Sequence, residues 1–124
     1  MPVIAAPPAP THELPGVRFT SLATPSRGST DTSVWWVEID PATPAATHRV
    51  TREEVFVVLA GTARVRLAGI DHVAGPGASI VVPPGVPFEL AAEGDEPMRA
   101  LCVLPVGGQA QMPGGEPFTP PWAR

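Results

Sequence analysis

The 124-residue chain is long enough to bury one hydrophobic core and too short for two domains of usual size. Its eight basic residues are all arginine, are spread along the chain, and are outnumbered by twelve acids, which gives a net charge of -4. A nucleic-acid partner is therefore not expected. The single cysteine, Cys102, excludes an intrachain disulfide and a zinc site built from cysteines.

No targeting or membrane segment is recognisable in the sequence. The first sixteen residues contain no basic leader and no long apolar run, and the apolar stretches elsewhere have the length of strands. We therefore predict a cytoplasmic protein without a membrane partner. Alanine, proline, glycine and arginine are abundant while lysine, asparagine and tyrosine are absent, which indicates a GC-rich bacterial genome.

Prolines and glycines separate short β-branched runs along most of the chain. Residues 1–16 predict an extended, proline-rich N-terminal arm, and residues 17–106 predict one all-β domain. Residues 107–124 predict a C-terminal tail that docks on this domain, because Phe118 and Trp122 are costly to leave in water. The β-branched runs predict strands over 17–23, 33–39, 53–60, 62–68, 70–74, 78–83, 87–92 and 98–104. This pattern is typical of a jelly-roll barrel or an immunoglobulin-like sandwich and does not choose between them.

The first decisive motif lies in residues 41–61, which read PATPAATHRVTREEVFVVLAG. This stretch resembles the first motif of the cupin family, commonly written G-x5-H-x-H-x3,4-E-x6-G. His48, Glu54 and Gly61 fall on its first histidine, its glutamate and its closing glycine. Ala42 stands where the motif has its opening glycine. The resemblance implies a single cupin or jelly-roll β-barrel.

The second decisive motif lies in residues 75–90, which read GPGASIVVPPGVPFEL. It resembles the second cupin motif, G-x5-P-x-G-x2-H-x3-N. Gly77, Pro83 and Gly85 fall on its first three fixed positions, and Phe88 stands where the motif has a histidine. The resemblance covers roughly residues 33–104 and also implies a homodimer, since small cupins commonly pair through sheet edges.

The metal site that the family resemblance implies is incomplete in this chain. In the family, three histidines and one carboxylate hold Fe, Mn, Ni or Zn. Val50 and Phe88 occupy the positions of two of these histidines, and neither side chain can ligate a metal. We therefore favour no metal cofactor. If a divalent metal is bound, the resemblance gives His48 and Glu54 as ligands, and His72 could supply a third if its strand turned it into the barrel.

Strand alternation places Glu54 and Phe56 on one face of their strand, and the family resemblance directs that face to the barrel lumen. A carboxylate in an apolar lumen has a raised pKa, and a nearby imidazole could share its proton. His48 and Glu54 are therefore the candidate catalytic pair. Candidate residues for substrate binding are Phe56, Phe88, Trp36 and Cys102. Alternation alone does not decide the face of Cys102, nor which of Trp35 and Trp36 reaches the lumen.

The residues indicate a protein that binds a small, largely apolar organic molecule in the lumen. The first interpretation is a metal-independent isomerase, cyclase or lyase in which His48 and Glu54 transfer protons. The second is a module that binds or senses a small molecule without reaction. The third is a metal-dependent, dioxygenase-like enzyme with a depleted set of ligands. If Phe88 and the tryptophans filled the cavity, the first interpretation, that of a metal-independent enzyme, would be excluded.

Overall fold

The structure is a computed structural model that describes residues 3–124, so the first two residues of the predicted arm lie outside the described part. Two short 3-10 turns, Pro25–Arg27 and Pro121–Ala123, are the helical elements found there. The all-β class predicted from the sequence is confirmed. The strands are β1 His12–Leu14, β2 Val17–Ala23, β3 Thr32–Ile39, β4 Arg49–Val50, β5 Glu54–Ala60, β6 Ala63–Leu67, β7 Ile70–Ala74, β8 Ser79–Val82, β9 Phe88–Ala92, β10 Met98–Pro105 and β11 Ala110–Gln111.

Two antiparallel sheets share one core. The larger sheet has six strands in the order β1-β2-β3-β10-β5-β8, and the smaller sheet has three in the order β7-β6-β9. The short strands β4 and β11 form a third pair. Buried residues of both sheets, such as Phe56 and Val58 on β5 and Val65 on β6, belong to a single hydrophobic cluster. A jelly-roll arrangement of this kind closes the apolar inner faces away from water.

Alternation along β3, β5 and β10 builds much of the inner face of the six-stranded sheet. On β3 the odd-numbered residues from Ser33 to Ile39 are buried, and on β10 the even-numbered residues from Met98 to Leu104 are buried. On β5 alternation buries Glu54, Phe56 and Val58, as predicted from the sequence. Every second side chain of a strand lies on the same face, so the polar side chain of Glu54 is buried together with Phe56 and Val58.

Both ends of the first motif have the left-handed backbone conformation that favours glycine. Gly61 has a φ of 68°, and a Cβ there would overlap the carbonyl oxygen of Pro97. Only glycine fits such a turn without strain. Ala42, at the opening position of the motif, has a φ of 60°. The chain therefore has the left-handed conformation at this position, although alanine replaces the glycine that would adopt it without strain.

The C-terminal segment packs against the larger sheet. Residue Ala110 pairs with Val50 through the strands β11 and β4, and Trp122 packs against the core cluster. Three serine hydroxyls of β2, β3 and the turn between them donate hydrogen bonds of 2.7 Å to the last three main-chain carbonyls: Ser21 to Trp122, Ser33 to Ala123 and Ser26 to Arg124. Because Ser21 and Ser33 lie on neighbouring strands of the larger sheet, these bonds hold the segment against that sheet.

Within the described residues, no helix is both long and apolar enough to cross a bilayer. The predicted homodimer stays a prediction.

Candidate functional site

One cavity of about 350 Å³ lies between the inner faces of the two sheets. This volume suits a small organic ligand. Aliphatic side chains, prolines and alanines form much of its wall, and the loop over residues 43–46 contributes to it. Six phenylalanine and tryptophan side chains line it: Phe19, Trp35, Phe56, Phe88, Phe118 and Trp122. The predicted pocket is therefore open and not plugged by its aromatic residues.

His48 reaches this cavity from the residue just before β4. Its main chain exchanges two hydrogen bonds with Phe88, of 3.0 and 2.9 Å, and its ring lies 4.3 Å from the Phe88 ring, centroid to centroid. The Nδ1 atom is 2.9 Å from the carbonyl oxygen of Ala46. A carbonyl oxygen only accepts, so Nδ1 carries a proton and the neutral ring keeps its lone pair on Nε2. Burial lowers the pKa of His48, which favours this neutral form.

Glu54 reaches the same cavity from the first residue of β5, where it pairs with Val82 of the edge strand β8. Only 5% of the residue is exposed. Burial raises the pKa of Glu54 to about 8, so the carboxyl group is mostly protonated at neutral pH. Within residues 3–124, no group is hydrogen-bonded to this carboxyl group. Every fully enclosed side-chain polar atom there has a partner, so the Glu54 oxygens are not fully enclosed by protein. The carboxyl group is therefore directed at cavity space, where a ligand or water can bond it.

His48 and Glu54 face the same cavity from different elements. Among the described residues, neither a hydrogen bond nor an ion pair joins the two side chains. The expectation that they share a proton directly is therefore wrong for this arrangement. His48 Nδ1 is engaged by Ala46 and the Phe88 ring packs against the imidazole, so Nε2 is the ring nitrogen left for a partner, and the Glu54 carboxyl group lies beyond its hydrogen-bond reach. The two groups can act on the same molecule only if that molecule lies between them.

The other predicted wall residues divide into those that line the cavity and one that does not. Phe56, Phe88 and Cys102 line it. Cys102 is fully buried, and burial together with the Glu54 carboxyl raises the pKa of its thiol. A neutral thiol is a poor nucleophile, so Cys102 serves as a small apolar wall residue.

The placement of Trp36 in the lumen is wrong. Trp35 is 2% exposed and lines the cavity, whereas Trp36, one residue further along β3, lies on the opposite face of the sheet. There the Arg99 guanidinium lies 3.9 Å from the centre of its ring. Adjacent strand residues point to opposite faces, and only the register of β3 decides which tryptophan is inside. Trp35 pairs with Cys102 and so shares its inner face.

The residues present do not form the metal site that the fold family implies. Residues 3–124 contain no group of three or more histidine, cysteine, aspartate or glutamate side chains that could hold a metal ion. Val50 lines the cavity, as does Phe88, so both replaced ligand positions are apolar wall. His72 lies exposed on the edge strand β7 and does not line the cavity, which removes it as a third ligand. The donor set is therefore smaller than a tight divalent-metal site needs.

Several residues of the site were not identified from the sequence. Phe118, Pro120 and Trp122 of the C-terminal segment line the cavity, as does Phe19 of β2. The available signal was the cost of leaving Phe118 and Trp122 in water, which predicts docking without giving a position. The strands β4 and β11, which bring this region to the cavity, are too short to show a period.

The fold agrees with the comparison against known families. A family model described as "Cupin domain" matches residues 35–104, which is more than half of the chain. The chain belongs to the cupin family. No curated protein was found that matches it.

Solved cupin structures are similar to this chain over most of its length. The polyketide cyclase RemF from Streptomyces resistomycificus is 24% identical, with a TM-score of 0.65 over 82% of this chain and 73% of that one. A cupin-like protein from Thermotoga maritima is 22% identical, with a TM-score of 0.65 over 70% and 66%. A salicylate 1,2-dioxygenase from Pseudoaminobacter salicylatoxidans is 20% identical, with a TM-score of 0.69 over 86% of this cupin and 31% of the dioxygenase. At these identities the similarity shows the fold alone.

Proposed function

We propose that this cupin binds a small, largely apolar carbonyl compound in its cavity and catalyses a proton transfer on it without a metal, as an isomerase, cyclase or lyase does. The observation that carries this proposal is the Glu54 carboxyl group. It is buried in an apolar cavity and has no hydrogen-bond partner within residues 3–124. A buried polar group of this kind is costly unless a ligand or water satisfies it.

His48 supplies the base in the proposed reaction. Because Nδ1 donates to the Ala46 carbonyl, the orientation and tautomer of the ring are held before a substrate arrives. The Nε2 lone pair is then the acceptor left to a molecule in the cavity. Burial lowers the pKa of His48, which keeps Nε2 unprotonated near neutral pH.

Glu54 supplies the acid. Its pKa of about 8 means that the carboxyl group carries a proton at neutral pH and can donate a hydrogen bond to a carbonyl oxygen. A protonated carboxyl group in an apolar site is a better donor than one exposed to water, since no solvent competes for the bond. The two groups therefore present one acceptor and one donor to the same cavity.

The proposed step is enolisation of the bound carbonyl compound. Nε2 of His48 takes a proton from the carbon next to the carbonyl, and the C–H electron pair forms a carbon–carbon double bond. The carbonyl π pair takes the proton of Glu54, which leaves an enol, an imidazolium and a carboxylate. In each outcome the enol O–H proton returns to the Glu54 carboxylate and the carbonyl forms again. If the imidazolium protonates a different carbon, the product is an isomer. If it protonates a leaving group that departs from the β-carbon with its bonding pair, the product is an unsaturated carbonyl compound. If the enol carbon attacks a second carbonyl, whose oxygen takes the imidazolium proton, a ring closes.

The similar solved structures support the chemistry only in a general sense. RemF is named as a polyketide cyclase, and this cupin has its fold at 24% identity. The same barrel hosts other reactions, so the argument for proton transfer depends on His48 and Glu54. A binding module without catalysis would need the same cavity but would not need both groups.

Deuterium exchange tests the proposal. The neutral aromatic ketones 2-tetralone and 1-indanone are incubated with the protein in deuterated buffer, and exchange next to the carbonyl is followed by NMR. We expect wild-type protein to accelerate exchange, and Glu54→Gln and His48→Gln each to lower the rate by about 100-fold. Glu53→Gln is the matched control, because Glu53 is the exposed neighbour of Glu54. A wild-type rate equal to that of Glu54→Gln would leave a binding module as the function.

A further inference from the structure

We infer that the cavity selects an uncharged ligand, a flat aromatic molecule with a carbonyl oxygen, and rejects the carboxylate of the same shape. This inference rests on the proposed function and adds the class of substrate. It follows from which side chains line the cavity and which are kept out of it.

No arginine is among the residues that line the cavity in the described part of the chain, and burial lowers the pKa of His48, which favours its neutral form. The sequence has no lysine, and its eight arginines all lie elsewhere. Arg18 is engaged by Glu38 and Asp40, Arg66 by Asp71, and Arg99 lies over Trp36 on the outer face. A carboxylate that entered the cavity would therefore lose water without gaining an arginine partner, which lowers its affinity by about 100-fold or more.

The polar groups of the cavity suit a neutral ligand instead. Glu54 offers a carboxyl group that lacks a partner within residues 3–124, and His48 offers Nε2 once Nδ1 is engaged by Ala46. A carbonyl oxygen accepts from the first group, and an acidic C–H or O–H beside it faces the second. A ligand carboxylate has hydrogen-bond acceptors and no donor. It and the Glu54 carboxyl group would therefore compete for a single proton.

The walls favour a flat ring system. Trp35, Phe56 and Phe88 lie on the inner faces of the sheets, and Phe56 and Phe88 have ring centroids 6.0 Å apart. Phe19 and Trp122 add a stacked pair at another part of the wall. A cavity of about 350 Å³ between such rings suits a two-ring aromatic molecule, which gains area and aromatic contacts together.

Calorimetric titration of the full chain at pH 7 tests the inference with two molecules of nearly equal shape. One is 2-acetonaphthone, a neutral ketone, and the other is 2-naphthoate, in which a carboxylate replaces the acetyl group. We expect the ketone to bind the wild-type protein at least about 100-fold more tightly than the carboxylate. Equal or tighter binding of the carboxylate would overturn this inference while leaving a ligand-binding cavity in place. Binding of neither molecule would overturn the proposed function and this inference with it.

A variant at the mouth of the cavity tests the cause. Met112 lines the cavity and is 40% exposed, so a polar side chain can replace it without being buried. Met112→Lys brings an ammonium group to the cavity, and we expect it to narrow the ratio of the two affinities at least tenfold. Met112→Gln, which is similar in length and uncharged, should leave the ratio as in the wild type. An unchanged ratio in Met112→Lys would show that the missing cation is not the reason for rejection.

Discussion

The indole of Trp122 lies flat on the ring of Phe19, with centroids 3.6 Å apart and an angle of 5° between the planes. One ring belongs to the C-terminal segment and the other to β2, and both line the cavity. The stack therefore makes the segment part of the cavity wall. Three serine hydroxyls donate hydrogen bonds to the carbonyls of residues 122–124 and so help to hold the segment in this position.

Trp122→Ala should open one wall of the cavity. We expect the affinity for 2-acetonaphthone to fall at least tenfold and the free energy of unfolding to fall by about 2 kcal/mol, since a half-buried ring and its stacking partner are lost. Calorimetry and urea denaturation measure the two effects. Trp36→Ala is the matched control, because Trp36 is also half-buried but lies on the outer face. Similar losses of affinity in both variants would contradict a role of Trp122 in the cavity wall.

The metal content of the protein tests the depleted-site alternative. His48 and Glu54 are the two motif ligands present, and the cavity wall has Val50 and Phe88 in place of the others. We expect wild-type protein, purified without an affinity tag or chelator, to contain less than about 0.1 divalent ion per chain, since two protein ligands rarely suffice. Plasma mass spectrometry measures this. A content near one ion per chain would contradict the expectation and restore the metal-dependent enzyme.

The double variant Val50→His and Phe88→His supplies the control for the metal measurement. Both positions line the cavity, so the two imidazoles would complete the three-histidine, one-carboxylate set of the family motif. We expect the variant to bind zinc or nickel at close to one ion per chain. Replacing the buried Phe88 ring removes core contacts, so a lower free energy of unfolding without metal is expected as well.

The sequence predicted well those features that leave a pattern over several neighbouring residues, such as strands, turns and motif spacing. The strands 17–23 and 70–74 were predicted with the bounds that β2 and β7 have, because short β-branched runs between glycine or proline turns mark them. Motif spacing identified His48 and Glu54, and both face the cavity. Alternation is symmetric, however, and cannot tell inside from outside.

Two results needed the structure because they depend on contacts between distant segments. Trp35 was placed inside by its pairing with Cys102 on β10, which lies far away in sequence. The position of His48, which leaves it without a hydrogen bond to Glu54, depends on its main-chain pairing with Phe88, which also lies far away in sequence. Neither pairing leaves a local pattern, so spacing alone could place His48 and Glu54 in one site but could not decide whether they bond each other.

Ala42→Gly should stabilise the protein. Ala42 has a φ of 60°, a conformation that costs an L-residue about 1 kcal/mol and glycine almost nothing. Part of this gain is offset by the greater freedom of glycine in the unfolded chain. We expect the free energy of unfolding to rise by about 0.5 kcal/mol, measured by urea denaturation. Ala45→Gly, in the same loop at an ordinary φ, should instead destabilise the protein; a loss of stability in both variants would contradict the strain at Ala42.

The stability of the wild-type protein should fall between pH 4.5 and pH 8 because of Glu54. Its pKa is raised from 4.5 to about 8, so in this range the folded chain retains a proton that the unfolded chain has lost. The free energy of unfolding then decreases as pH rises, by at most about 5 kcal/mol over the whole range, and is constant above pH 8. Glu54→Gln removes this contribution.

Urea denaturation of both proteins from pH 5 to pH 8.5 isolates the effect of Glu54. His48, whose lowered pKa reduces stability as pH falls below about 6.5, is present in both proteins and cancels in their difference. We expect Glu54→Gln to gain about 3 to 5 kcal/mol relative to wild type between the two ends of the range. Glu53→Gln, at the exposed neighbouring position, should follow the wild-type curve. Parallel curves for wild type and Glu54→Gln would mean that the carboxyl group ionises in the cavity as it does in water, and the acid of the proposed reaction would be lost.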